Sequence, residues 1–314
     1  METDTQREAM EYDVVIVGAG PSGLATAIKL KQINADANVC IVEKASEVGA
    51  HILSGNVFET KALDELLPDW QSMDGCPLKT KVSKEKFLVL SEKSYFSVPS
   101  FLLPPVQHNK GNYITSLANL CRWLGQVAEG MGVEIYPGFA ASEILYDEQG
   151  KVRGVATNDM GLDINNEKKD SYEPGIELHA KVTVFAEGCR GHLGKQLINK
   201  FNLSENSDPQ QYGIGLKEIW EVPEENHDEG MVLHSVGWPL ENDTYGGSFV
   251  YHAENKQIYL GYVIGLDYSN PYLSPFEEFQ RFKTHPAIKK MLSGGKRISY
   301  GARALTVSYT HLTL

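Results

Sequence analysis

The sequence predicts an α/β protein with a Rossmann-like βαβ domain and an adjoining, mostly antiparallel β-sheet domain. Three observations predict it. The apolar run Asp13-Val-Val-Ile-Val breaks directly into Gly18-Ala-Gly20-Pro21-Ser22-Gly23, a G-x-G-x-x-G turn, and a helical stretch follows over residues 24–30. Twenty residues past Gly23, the apolar run Val39-Cys-Ile-Val ends on Glu43. From about residue 207 the texture changes to short aromatic-rich strands, such as Met231-Val-Leu-His-Ser-Val and Ser248-Phe-Val-Tyr-His.

Each part of the opening unit has a physical reason. Gly18 permits the tight turn off the strand, Gly20 lets the backbone approach a pyrophosphate, and Gly23 lets the helix pack close to the sheet. The helix start, with Pro21 and Ser22, turns free N–H groups and the positive dipole end toward phosphates. Glu43 is placed to accept hydrogen bonds from ribose hydroxyls, with Lys44 beside it. The turn does not choose between FAD and NAD. Its place at the start of the chain, and a second strand-to-glycine junction at Ala186-Glu187-Gly188, tilt it toward FAD.

Composition excludes several function classes. With 29 Lys and Arg against 41 Asp and Glu, the net charge of −12 argues against a nucleic-acid partner. No stretch approaches the ~18 apolar residues of a spanning helix. The polar tail over residues 1–10 resembles neither a secretory signal nor a transit peptide. Cys40, Cys76, Cys121 and Cys189 are scattered without metal-ligand spacing, so no metal residues are nominated.

The remaining elements follow in order. Gly49-Ala50-His51-Ile-Leu53-Ser54-Gly55 is a small-residue loop, read either as a plain turn or as backbone lying along a cofactor. Residues 63–70 look helical, with the helix ending at Pro68. Residues 79–98 read as strands carrying Lys79, Lys81, Lys84 and Lys86 on one face. Residues 115–129 have helical period, with a stripe of Leu117, Leu120, Cys121, Leu124 and Val127. Residues 133–136 read as a strand, and 142–146 with 152–157 as a hairpin around Asp147-Glu-Gln-Gly150. Residues 158–175 read as loop and 176–185 as a strand. Ser274-Pro-Phe-Glu-Glu-Phe opens a helix that stops before His285-Pro286.

Over residues 11–305 the sequence resembles the electron transfer flavoprotein–ubiquinone oxidoreductase family. The stretches that carry the resemblance are the 49–55 loop, Gly215-Leu-Lys-Glu-Ile-Trp-Glu-Val, Val236-Gly-Trp-Pro-Leu and the block over residues 243–305. The resemblance implies a membrane-surface enzyme carrying FAD and a [4Fe–4S] cluster, which takes electrons from reduced electron transfer flavoprotein and passes them to ubiquinone. It implies cofactor contacts along Gly49, Ala50, His51, Leu53, Ser54 and Gly55 and at Ala186 and Gly188. Gly246 and Gly247 fall on the family's quinone-contacting glycine pair, where a backbone N–H can approach a quinone carbonyl. The helix over residues 57–67 is the candidate membrane-facing surface, on the cytoplasmic face of a bacterial inner membrane or on the mitochondrial inner membrane. Electron transfer of this kind needs no acid–base pair, so His51, His234 and His252 read as structural and no catalytic residue is nominated.

The resemblance also implies what to expect of the domain plan. Residues 11–206 would form the FAD-binding domain, with 79–108 a candidate part of the second domain. Residues 207–305 would form an incomplete ubiquinone-binding domain. Residues 306–314 resemble nothing in the family and read as a foreign tail, and the cluster domain with its four cysteines is absent from the sequence. Two alternatives stand beside this reading: an FAD-dependent hydroxylase or prenyl reductase of the same fold, and an inactive fragment.

Overall fold

The computed structural model describes residues 7–53 and 55–307. The chain opens with β1 (Ala9–Val17), α1 (Pro21–Ile33) and β2 (Val39–Glu43). It then runs through β3 (Gly55–Phe58), α2 (Lys61–Leu66), β4 (Thr80–Lys81), β5 (Lys84–Leu90), β6 (Tyr95–Val98) and β7 (Tyr113–Ser116). A third stretch comprises α3 (Leu117–Gly130), β8 (Glu134–Pro137), β9 (Ala141–Tyr146), β10 (Val152–Thr157), β11 (Met160–Leu162), β12 (Lys168–Glu173), β13 (Glu177–Phe185) and α4 (His192–Lys200). The last comprises β14 (Gln211–Glu221), β15 (Met231–Gly237), β16 (Gly246–His252), β17 (Gln257–Gly265), α5 (Pro275–Thr284), α6 (Pro286–Leu292) and β18 (Lys296–Val307).

These elements form two compact units, residues 1–52 with 118–206 and residues 53–117 with 207–314. The first holds a six-stranded sheet in the order β8-β2-β1-β13-β10-β9. Its β8, β2, β1 and β13 are parallel, and β10 and β9 are antiparallel. Parallel strands are covered on both faces, which explains the unbroken apolar runs in β1 and β2. Val15, Val17, Cys40 and Val42 pack with Leu193 of α4, while α1 lies against the face that carries Ile16.

The second unit holds a seven-stranded sheet in the order β18-β14-β17-β16-β15-β5-β6 and a three-stranded one, β3-β7-β4. The larger sheet is antiparallel except where β15 runs parallel to β5. One face, bearing Leu88, Leu216, Leu233 and Tyr262, packs on Phe279 and Phe282 of α5 and Ile288 and Leu292 of α6. On the opposite face Tyr251 and Tyr259 meet Val82 and Ile114 from the small sheet's segment. Helix α5 begins as its sequence dictates: the Ser274 hydroxyl accepts from the Glu277 N–H, Pro275 stands first, and Glu277 and Glu278 face the dipole's positive end.

Four sequence readings are corrected. The helix expected from Leu63 and ending at Pro68 is α2, which begins at Lys61 and stops at Leu66; Leu67 precedes Pro68, and a residue before proline is pushed out of the helical region. The four lysines do not share one face: Lys81 lies in β4 of the small sheet, while Lys84 and Lys86 lie in β5 of the large one. The stretch 158–175 is not loop throughout, because β11 and β12 pair as a hairpin whose polar composition hid it. The second unit takes in residues 53–117, where 79–108 alone had been expected as a candidate part of it. In addition, Thr306 and Val307, expected to stand outside the fold, pair with Tyr212 and Gln211.

His252, in β16, is only 1% exposed and its Nδ1 accepts the Asp228 N–H at 3.0 Å. Burial, reinforced by neighbouring His227, lowers its pKa from 6.5 to about 4. The unfolded chain therefore takes up this proton below pH 6.5, and the folded one not until about pH 4. Stability from this group is complete above pH 6.5 and falls by about 2 kcal/mol by pH 5. Urea unfolding at pH 7 and pH 5 should show that loss, and His252→Gln should lack this component. An equal pH effect in both proteins would refute the assignment.

Candidate functional site

The first unit carries the nucleotide-type turn. Gly18 has φ +107°, and a Cβ there would stand 2.6 Å from the Ala186 carbonyl oxygen. A Cβ at Gly23 would stand 2.1 Å from the Gly18 carbonyl oxygen. These two glycines are thus required by the protein's own packing of turn, helix and β13 end. Gly20 differs: a Cβ there would meet nothing within 4 Å. Its missing side chain opens onto free space at the start of α1, where no side chain caps the helix and Pro21 stands first. That is the arrangement a pyrophosphate needs.

Glu43 does more than end β2. Its Oε2 accepts the Ala19 N–H at 2.9 Å, and its Oε1 accepts the Ala45 N–H at 2.9 Å. The carboxylate ties the glycine turn to the loop after β2, and each oxygen keeps a second lone pair for a ribose hydroxyl. Lys44 beside it is exposed. Gly49 is buried at φ +85°, with Ala118 of α3 behind it, while Ala50 and His51 are exposed. The Ala186 N–H donates to the Val17 carbonyl at 2.9 Å. Gly188 has φ +79°, and a Cβ on it would meet nothing within 4 Å.

Sequence reasoning misses Glu187, although it stands between Ala186 and Gly188. Its carboxylate accepts the Leu193 and Gly194 N–H groups at 3.3 and 2.7 Å. It caps α4, so the free N–H groups of that helix serve this residue. A carboxylate a few residues before a helical run was the available signal.

In the second unit, Leu53 stands against Gly301, and a Cβ at Gly55 would fall within 2.0 Å of the Tyr259 ring. Ser54, also expected at a cofactor, lies outside the described residues. Gly246 and Gly247 open β16, paired with Ile264 and Val263 of β17. Pleating sends them to opposite faces. A Cβ at Gly246 would meet Leu240 of the core and the Val263 carbonyl oxygen, each at 2.5 Å. One at Gly247 would meet the Ser235 carbonyl oxygen at 2.7 Å and Val236 at 3.4 Å. The β15–β16 ladder runs from Val232↔Tyr251 to Ser235↔Ser248 and stops short of both glycines.

The segment around β6 exposes apolar surface. Phe96, Phe101, Leu102 and Val106 are 64%, 80%, 64% and 81% exposed. In contrast, the one strongly buried side chain of α2 is Leu63, and its outer positions are Lys61, Asp64 and Glu65. Among the described residues no helix is long and apolar enough to cross a membrane, and no group of His, Cys, Asp and Glu could hold a metal ion.

A family model described as ETF-QO, ubiquinone-binding, matches residues 212–305, and one described as an NAD(P)-binding Rossmann-like domain matches residues 16–67. The electron transfer flavoprotein-ubiquinone oxidoreductase of Pseudomonas aeruginosa is 59% identical over 306 residues, covering 96% of this chain and 55% of that protein. The mitochondrial protein of that name from Bos taurus is 55% identical over 307 residues, covering 96% of this chain and 49% of its own. This chain spans about half the length of the curated relatives it matches. A geranylgeranyl bacteriochlorophyll reductase-like protein from Thermoplasma acidophilum has a TM-score of 0.70 at 19% identity, covering 96% of this chain and 67% of that one. The flavin-dependent brominase Bmp2 has a TM-score of 0.62 at 18% identity, covering 95% and 67%. At these identities the two structures show the fold alone.

Proposed function

Because the chain belongs to the electron transfer flavoprotein-ubiquinone oxidoreductase family, we propose that it carries the FAD-binding and ubiquinone-binding parts of an enzyme passing electrons from reduced electron transfer flavoprotein to ubiquinone. The observation that carries this reading is the joining, in one chain, of a dinucleotide-type turn open beside Gly20 to a sheet matched over residues 212–305 by a ubiquinone-binding model.

The residues present fit FAD. The 18–23 turn and the start of α1 would hold its pyrophosphate, and Glu43 would accept from its ribose. When bound, the flavin supplies the redox chemistry. The protein's own share is position and electrostatics: Glu43 keeps the turn in place through the Ala19 N–H, and Gly18 and Gly23 hold α1 close enough to aim its N–H groups. Gly49, Ala50, His51, Ala186 and Gly188 are the proposed further contacts in the first unit. Gly246 and Gly247 are the proposed quinone contacts in the second unit, where Leu53 and Gly55, also expected at the cofactor, pack against Gly301 and Tyr259. The residues do not fit the [4Fe–4S] cluster. Among the described residues no group of His, Cys, Asp and Glu could hold a metal ion, and Cys40 and Cys121 are buried, with burial pushing both thiols up to about 12.

The membrane contact moves from residues 57–67, as expected from sequence, to the apolar segment around Phe96, Phe101, Leu102 and Val106. At ~25 cal/mol per Å², a few hundred Å² of such surface could contribute several kcal/mol of attachment. The setting this reading assigns is one face of a membrane, the cytoplasmic face of a bacterial inner membrane or the mitochondrial inner membrane.

Gly20→Ala tests the cradle. Its Cβ enters free space, so circular dichroism and unfolding should match the wild type. FAD retained through gel filtration, read by its visible absorbance, should fall about tenfold or more. A folded wild-type chain that neither retains FAD nor binds ubiquinone would sink the reading. Rapid reduction of the bound flavin by NADPH would favour the hydroxylase or prenyl reductase class.

A further inference from the structure

A line of titratable side chains crosses the face of the seven-stranded sheet turned away from α5 and α6. It starts in solvent at His108, between β6 and β7, whose side chain is 39% exposed. The His108 Nδ1 stands 3.1 Å from the Glu85 Oε1, and the Asn109 N–H donates to the Glu85 Oε2 at 2.8 Å. Burial pushes the Glu85 carboxyl up, but the Asn109 N–H and His108 outweigh it and hold it below the usual carboxylate range. Glu85 lies opposite Val232 in the β5–β15 register, and Phe87 lies opposite His234. Glu85 and His234 are therefore diagonal neighbours on one face, within reach of each other's side chains. The line ends at the Tyr251 hydroxyl, 2.8 Å from the His234 Nε2. Tyr251 is 7% exposed and stacked on Phe249 at 4.6 Å, which fixes this anchor. The His234 Nδ1 has no partner among the described residues. A histidine kept only for packing spends both nitrogens, as His285 does on the Ser91 carbonyl and the Ala287 N–H. His234 spends one.

We propose that His234 donates a proton to the quinone during its reduction, and that Glu85, fed by His108, reloads it from water. The inference rests on the quinone-reducing reading above and goes beyond it, because that reading names contacts and no source of protons. Val236, the next residue of β15 on this face, stands 3.4 Å from where a Gly247 Cβ would be, so His234 lies one pleat repeat, about 7 Å, from that contact. Turning a quinone into its quinol adds two electrons and two protons; two O–H bonds form and only the two C=O π bonds break. The electrons come from the reduced electron transfer flavoprotein of that reading. As negative charge builds on the nearer carbonyl oxygen, the His234 Nδ1–H passes its proton there, while Nε2 keeps its own against Tyr251. A proton from water then moves through His108 and Glu85 to Nδ1. The farther oxygen takes its proton from water directly. The titratable groups facing His234 are Glu85 of β5, His108 beside it and Tyr251 of β16, with Lys217 beyond the Phe249 ring. Burial lowers the His234 pKa and Glu85 raises it, so the ring gains proton affinity when a second negative charge arrives beside it.

The test mixes the full chain, loaded with FAD and reduced by dithionite, with a ubiquinone ring carrying a decyl tail, and follows quinol formation against pH. The wild-type rate should rise as pH falls through the range below 6.5, because His234 must hold its proton. His234→Gln keeps a hydrogen-bonding group for Tyr251. It should bind the quinone within about threefold of wild type, reduce it about a hundredfold more slowly and lose that pH dependence. Glu85→Gln removes the charge that supports the imidazolium. The His234 pKa, read by NMR of labelled histidine in the chain without quinone, should then fall by about one unit, and reduction should slow about tenfold. A His234→Gln protein that binds and reduces quinone as the wild type does overturns the proposal and leaves the quinone reading standing. An unmoved His234 pKa in folded Glu85→Gln does the same. Should His234→Gln not fold, Glu85→Gln decides alone. A wild type that retains FAD and binds no quinone overturns both.

Discussion

Replacing Gly23 by alanine is expected to cost about 3 kcal/mol or more of unfolding free energy and to abolish FAD retention. The added Cβ would stand 2.1 Å from the Gly18 carbonyl oxygen, 3.2 Å from the Ile16 Cγ2 and 3.3 Å from the Ala186 Cβ. The first of these is backbone in the turn, and it cannot rotate away as a side-chain tip could. Helix α1 must therefore lift from the sheet, loosening the contacts of buried Leu24, Ala27 and Ile28. Overpacking of this kind costs about 1–3 kcal/mol where neighbours can give, and more where they are backbone. The lifted helix would also carry its N–H groups away from a pyrophosphate. Urea unfolding and flavin absorbance measure the two effects. Gly20→Ala is the control, since it should lose FAD while keeping the fold. Wild-type stability in Gly23→Ala would mean that α1 does not approach the turn as described.

Removing the Glu218 carboxylate should be as damaging in the second unit. Glu218 is 3% exposed, and its Oε1 accepts from Lys283 at 2.8 Å and from Arg297 at 3.0 Å. Its Oε2 accepts from the Trp220 Nε1 at 2.7 Å and again from Lys283 at 2.9 Å. One buried carboxylate thus joins β14 to β18 and α5. Glu218→Ala leaves the Lys283 ammonium, with its side chain only 13% exposed, without its counter-charge. Breaking a buried pair from one side costs about 3–5 kcal/mol. The double replacement Glu218→Leu with Lys283→Met should recover most of that, because the one charge it leaves unpaired is Arg297, whose side chain is 42% exposed and stays hydrated. A loss below about 1 kcal/mol for Glu218→Ala would show that the pair is solvated and weak. Because Lys217 and Glu218 alternate along β14, anchoring Glu218 on the core face also turns Lys217 to the other one.

Much of this was legible in the residue order. The βαβ unit was, because Val14 to Val17 must be buried on both faces and only glycine suits the turn that follows. So was α5, whose cap, first-turn proline and acids are local signals. The hairpin β9–β10 announced itself by alternation and turn residues. These features share a cause, since each is decided by residues close in the chain.

Local residue order therefore dictates the opening nucleotide-type turn, the capped helix α5 and the change of texture near residue 207. Which distant pieces meet is settled in the assembled sheets. The parallel pairing of β5 with β15 draws residues 53–117 into the second unit, and nothing local to either strand encodes it. The pleat of β16 separates Gly246 from Gly247, so a pair adjacent in sequence serves two different faces. Register likewise brings Lys217, Phe249 and the apolar strip at Phe96 onto one surface. The physical reason is that strand pairing is chosen by burial of whole faces, an energy that belongs to the assembled sheet and to no single segment.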